Sequence, residues 1–241
     1  MSQRKPKSRR RVAREPAKKA HKSGLMAHRY LFFGGMALVL VAIVVTAVLV
    51  VSNRNKEKKA VMIYHSIAGG FTEEGFPYLG SPDAPVTVME FTDFNCSHCR
   101  SYNLEHEADI LEEFVATGKV RYVVHYYSSS SPRSIQAAEA AMCAADQNLY
   151  FQFQHALFEK PAASRDDFLT RAREVGLDED KFAACWDSER HRGTLLKHMQ
   201  AAAEAGISAT PTFKINDRLV VGNRPDVIRQ VIEEELALAG R

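Results

Sequence analysis

The chain has only four cysteines in 241 residues, and no second pair spaced like Cys96 and Cys99. A structural zinc site usually draws on two such pairs, so the spacing argues against one. The residue after Cys99 is Arg100, which removes the C-x-x-C-H signature of covalent haem attachment. Acid is scarce at the start: residues 1–29 hold eleven Lys or Arg and a single carboxylate, Glu15. Charge of either sign is missing from Leu31 to Val51, where the one hydroxyl is Thr46. No internal repeat is present, which argues against solenoid and propeller folds.

What is present is strongly segregated. The whole chain carries +3, and the first 29 residues alone about +10, so the remainder is near −7 (3 − 10). The uncharged run is 21 residues long. At about 1.5 Å per residue a helix of that length covers roughly 30 Å, the hydrocarbon thickness of a bilayer. We expect a transmembrane helix at residues 30–51. A cleaved signal peptide fits less well, because the leader is long and the apolar run exceeds the usual ~7–15 residues. The richer basic flank stays in the cytoplasm. Residues 1–29 are then a basic cytoplasmic tail, a topology signal that can also lie on anionic headgroups. Nucleic-acid binding is a weaker reading of it, and no nucleic-acid partner is expected. The catalytic part faces the periplasmic or extracellular side, where disulfides persist. All four cysteines fall there, and four cysteines allow three pairings if all are bridged.

Residues 52–80 read as a polar tether of roughly 30 Å reach. The turn signal Gly80-Ser81-Pro82-Asp83-Ala84-Pro85 marks the entrance to a domain at 81–241. V-T-V-M-E-F (86–91) and V-R-Y-V-V-H-Y-Y (120–127) read as buried strands. Between them, Leu104, Ala108, Leu111 and Val115 recur at helical spacing up to Gly118. The cysteine pair therefore sits in a βαβ unit, at a helix N-terminus. After a loop at 128–132, residues 134–205 read as four or five helices. Next come a hairpin (T-F-K-I, Asn216-Asp217, R-L-V-V) and a helix at 225–239 with Val227, Ile228, Val231 and Ile232 inward.

A thiol at a helix start meets free N–H groups and the positive end of the dipole, and both favour thiolate. Cys96 is the exposed nucleophile in this reading and Cys99, one turn in, the buried resolving thiol. His98, when charged, stabilises the thiolate further. Zinc with His98 and His106, copper on Cys96, Cys99 and a histidine, and a purely structural bridge are the alternatives. A bridge closing so short a loop constrains little chain. His125 reads as a satisfied core residue, His106 and His155 need no role, and Trp186 reads as packing.

The stretch G-S-P-D-A-P-V-T-V-M-E-F-T-D-F-N-C-S-H-C resembles the entrance and active site of DsbA-like thiol:disulfide oxidoreductases. The resemblance covers about residues 71–240. It implies an α/β, thioredoxin-like fold with an inserted helical subdomain at about 134–205. A-T-P-T-F (209–213) resembles the family's cis-proline loop, which makes Pro211 the proline facing the cysteines, with Thr210 before it. Glu90 matches the family's buried acid, able to relay the proton that Cys99 gains or loses. Strongly oxidising members often carry Pro-His between the cysteines; here the dipeptide is Ser97-His98. Cys143 and Cys185 fall where many membrane-anchored and secreted members carry cysteines, which implies a structural bridge, with a second redox pair as the rival reading. The family implies donation of the Cys96–Cys99 disulfide to reduced exported proteins, with no metal or organic cofactor. It also implies reoxidation by a quinone-linked membrane partner, DsbB-like or vitamin-K-epoxide-reductase-like (VKOR-like). A reductase or isomerase of the same fold, and a copper-binding or holdase module, are the other classes.

Overall fold

The computed structural model describes residues 23–127 and 131–240. Two compact units result, residues up to Val51 and Ser52–Arg241. Helix α1 (Ser23–Ser66) contributes residues to both. The basic segment 1–22 and the first side chains of the expected span, residues 30–35, lie outside the described residues. Among the described residues, no helix is long and apolar enough to cross a membrane.

The second unit is built on a six-stranded sheet of order β1-β2-β4-β3-β5-β6. Its strands are β1 (Gly69–Phe71), β2 (Pro77–Leu79), β3 (Val86–Thr92), β4 (Val120–Tyr126), β5 (Thr212–Ile215) and β6 (Arg218–Val221). The central pair β3–β4 is parallel, with Glu90 opposite Val124, and every other pair is antiparallel. Parallel neighbours need a helical crossover. Here it is α2 (Ser97–Tyr102), which continues through a π-helical turn (Asn103–Glu107), α3 (Ala108–Ile110) and a second π-helical turn (Leu111–Val115). As expected of β-branched runs covered on both faces, Val86, Val88, Val120, Tyr122 and Val123 are fully buried.

Among the described residues, five helices lie between β4 and β5: α4 (Pro132–Ala145), α5 (Tyr150–Glu159), α6 (Arg165–Glu174), α7 (Glu179–Asp187) and α8 (Arg192–Glu204). They fall where the helical block was expected. Ser164 and Asp167 form a capping box that starts α6, and the Asp178 side chain caps α7. Helix α9 (Pro225–Ala239) begins with a proline at its first turn and buries Ile228, Val231 and Ile232.

The flexible tether expected at 52–80 is not what forms. Helix α1 continues to Ser66, and β1 and β2 then join the sheet at β4. The polar composition conceals a one-sided pattern: Tyr64 is buried, and Ile63 and Ile67 pack against the core. Gly80 is the hinge into β3. Its φ is +99°, and a Cβ there would stand 2.6 Å from the Val120 carbonyl oxygen, so only glycine fits.

Candidate active site

Strand β3 delivers the chain into Asp93–Asn95, and the Cys96 N–H bonds back to the Asp93 carbonyl at 3.0 Å. The Asn95 amide donates to Ser134 Oγ at 2.8 Å, and Phe94 stacks on Phe158, so the turn is tied to α4 and α5. Cys96 is the N-cap of α2, where its sulfur accepts from the Cys99 N–H at 3.4 Å. Arg100 anchors the same turn by donating to the Phe158 and Glu159 carbonyls.

Both thiols are free, Cys96 half-buried and Cys99 fully buried. The Thr210–Pro211 peptide is cis, and the Thr210 carbonyl oxygen lies 3.2 Å from the Cys96 sulfur. The Cys99 thiol, the Thr210 side chain and the N–H groups of Cys99 and His98 together outweigh burial and bring the Cys96 pKa down to about 5. Burial, with Cys96 itself next, pushes the Cys99 thiol far up. His98 is exposed, and its contribution to Cys96 runs through its backbone N–H.

Glu90 is wholly buried, and its Oε2 accepts from the Tyr122 hydroxyl at 2.7 Å. Burial raises its pKa to about 7; Tyr122 and, more loosely, Thr92 pull it back, while charge on Cys96 raises it. A second acid, Glu107, was missed from the sequence. It is equally buried, held by the Asn103 amide and the Tyr64 hydroxyl, and pushed well up by burial and then by Glu90. His155, expected to need no role, shares a 2.9 Å hydrogen bond with Asn103 Oδ1. The signal was the i, i+4 ladder Cys99, Asn103, Glu107, which puts two polar residues on the cysteine's own helix face.

Cys143 and Cys185 form a disulfide between α4 and α7, with Cα atoms 5.8 Å apart. His125 is the core residue expected, its Nδ1 2.9 Å from the Tyr126 carbonyl oxygen. Trp186 packs on Phe168 and donates to the Gln136 carbonyl.

Comparison with known proteins agrees with this geometry. The thioredoxin family model matches residues 72–234. Disulfide bond formation protein D of Bacillus subtilis (strain 168) is 26% identical over 71% of this chain and 82% of its own. The crystal structure of oxidised BdbD from Bacillus subtilis superposes with a TM-score of 0.63 at 26% identity, covering 71% of this chain and 98% of that one. A segment of the Na(+)/H(+) antiporter NhaA 3 of Salinispora tropica is 33% identical over 58% of this chain, but this is only 21% of that protein. With the family model spanning most of its length and a reactive Cys96 set against a protected Cys99, this chain belongs to the thioredoxin family and is a DsbA-like thiol:disulfide oxidoreductase.

Proposed function

We propose that the protein is a membrane-anchored oxidase of thiols, which passes the Cys96–Cys99 disulfide to reduced cysteines of exported proteins. The observation that carries this is the asymmetry of the pair: a half-buried Cys96 with a pKa near 5 beside a Cys99 whose thiol is pushed far up. A stable thiolate is a good leaving group, and stabilising the reduced form makes the disulfide a strong oxidant.

A substrate thiolate attacks Cys96 Sγ, and the electron pair of the S–S bond leaves on Cys99. Cys99 is buried and holds a proton tightly, so it leaves as a thiol, protonated by Glu90, whose pKa near 7 suits that transfer. A second substrate thiolate attacks the substrate sulfur of the mixed disulfide, and Cys96 departs as a thiolate. Two electrons move from the substrate thiols to the pair. The exchange as proposed requires no metal or organic cofactor. The Thr210 carbonyl, which precedes the cis Pro211 and lies 3.2 Å from the Cys96 sulfur, supports this loop as the place where an incoming chain lies. Reoxidation falls to a quinone-linked membrane oxidase of DsbB-like or VKOR-like type.

The anchor rests on the uncharged run from Leu31 to Val51 and on the large apolar side chains exposed along it from Met36 to Val51. With eleven basic residues before it, the N-terminus stays in the cytoplasm and the thioredoxin domain outside. Carbonate extraction of expressing cells tests this reading: the full chain should stay in the membrane pellet, and release into the soluble fraction would refute anchoring.

The reduction potential of the full chain in detergent, equilibrated against glutathione, tests the direction of the reaction. An oxidase should lie above about −180 mV, on the DsbA side of the known range. A value near about −270 mV, that of thioredoxin, would instead assign a reductase.

A further inference from the structure

The second disulfide is surrounded by side chains that can ligate a metal ion. Asp146 ends α4 next to Cys143, and His191 precedes α8 just beyond Cys185. Asp146 Oδ2 accepts from His191 Nε2 at 2.9 Å and from Arg190, and lies 3.4 Å from the Cys185 sulfur. One donor atom each from Cys143, Asp146, Cys185 and His191 falls within 4.8 Å of all the others. With metal–ligand bonds of about 2.0–2.3 Å, tetrahedral ligands stand roughly 3.3–3.8 Å apart. That is also about the contact distance of two sulfurs once a bond between them has opened. Very little movement then separates the bridge from a four-ligand site.

We propose that when the Cys143–Cys185 bond is opened these four side chains hold a divalent cation of the zinc type, so that a metal replaces the covalent staple between α4 and α7. The donor set decides the class of ion. Two thiolates and an imidazole suit zinc and its thiophilic neighbours, whereas calcium and magnesium take oxygen. Arg190 bonds the same Oδ2, so it must turn aside as the ion arrives, while Oδ1 of the carboxylate stays available to it. A pocket lined by Cys143, Asp146, Cys185, Lys181 and Arg190 opens beside the bridge and gives the ion a way in.

The chemistry balances. A dithiol opens the bridge, giving two electrons and two protons to the cysteines as it closes its own disulfide. Uptake of the cation then releases the two thiol protons. None of the four residues belongs to the Cys96–Cys99 centre, so this site stands independently of the exchange reaction proposed above.

Cobalt(II) is the probe. The full chain carrying Cys96→Ser and Cys99→Ser, which leaves one cysteine pair, is reduced with a phosphine and titrated. The expected result is one equivalent bound, with thiolate-to-cobalt charge transfer and the strong visible bands of a tetrahedral ion, both displaced by zinc. The oxidised protein should show neither. His191→Ala lies at a partly exposed position and should weaken binding by more than the tenfold to hundredfold that losing an outer partner costs. Asp146→Asn gives a second, milder loss. Absence of the charge-transfer band in the reduced protein, or affinity unchanged in both variants, would overturn the proposal.

Discussion

The hydroxyl of Tyr122 on β4 donates to Glu90 on the neighbouring strand β3 across 2.7 Å, both residues fully buried and the carboxylate's charge felt at Cys99. A carboxyl with one strong donor and no access to water cannot ionise as it would in solution. Its pKa of about 7, against an ordinary 4.5, means that the folded protein binds this proton more tightly than the unfolded chain. The contribution to stability is therefore complete below about pH 4.5 and is lost as pH rises through 7, amounting to as much as about 3 kcal/mol. Glu107 acts in the same sense. Urea denaturation at pH 5 and pH 8 should show Glu90→Gln more stable relative to wild type at the higher pH. Equal differences at both pH values would mean that Glu90 does not titrate.

Kinetics check the same residue separately. With Gln at position 90, Cys99 must exchange its proton with water through a buried layer. Oxidation of a model dithiol peptide should slow by roughly a hundredfold to ten-thousandfold, the range of general acid–base contributions. An unchanged rate would reduce Glu90 to a structural acid.

The cysteine pair is the part of the site that was most legible. Its place after a β-branched strand and before a helical stripe is a local pattern, and β3, α2 and β4 follow it. The hairpin at 212–221 and helix α9 were equally plain, because Asn216-Asp217 and Pro225 mark their ends. What could not be read was the partner of each buried polar group. Glu107, Asn103, His155 and Tyr64 come from three separate segments, and no spacing rule joins residue 64 to residue 107. Residues 52–80 misled for a related reason: their charges suggested solvent, while Tyr64 and the short strands β1 and β2 were each too brief to announce burial.

The two thiols should part company on substitution. Cys96→Ser removes the sulfur that lies against the Thr210 carbonyl, and exchange with a dithiol peptide should fall to background. Cys99→Ser keeps the attacking thiolate but not the thiol that resolves it. Mixed disulfides through Cys96 should then accumulate on exposure to an oxidised peptide, visible by mass spectrometry without reductant. Equal accumulation in both variants would contradict the assigned order of the two sulfurs.

His125 predicts an acid limit to stability. It is buried between Phe76 and Phe91, with His198 in ring contact, and burial pushes its pKa down to about 4. The folded protein therefore binds this proton less tightly than the unfolded chain, whose histidine titrates near 6.5. The stabilisation is complete above about pH 6.5 and is lost as pH falls toward 4, by up to about 3 kcal/mol. His198, also shifted down, adds to it. Thermal denaturation from pH 7 to pH 4 should show a shallower decline for His125→Phe than for wild type; parallel curves would refute the assignment.

Fragment stability tests the docking of residues 52–66 most directly. Tyr64 is buried against Phe151, its hydroxyl reaches Glu107, and Lys59 pairs with both Asp109 and Glu112. A fragment that starts at Thr72, where the family match begins, would strip a tyrosine from the core and leave Glu107 with one donor fewer. Loss of a large buried aromatic costs about 3–5 kcal/mol. The exposed Lys59 pairs add little to that. A fragment of residues 52–241 should therefore unfold at a higher urea concentration than one of residues 72–241, with Tyr64→Ala in the longer fragment recovering most of the difference. Coincident midpoints for the two fragments would show that residues 52–66 are a tether after all.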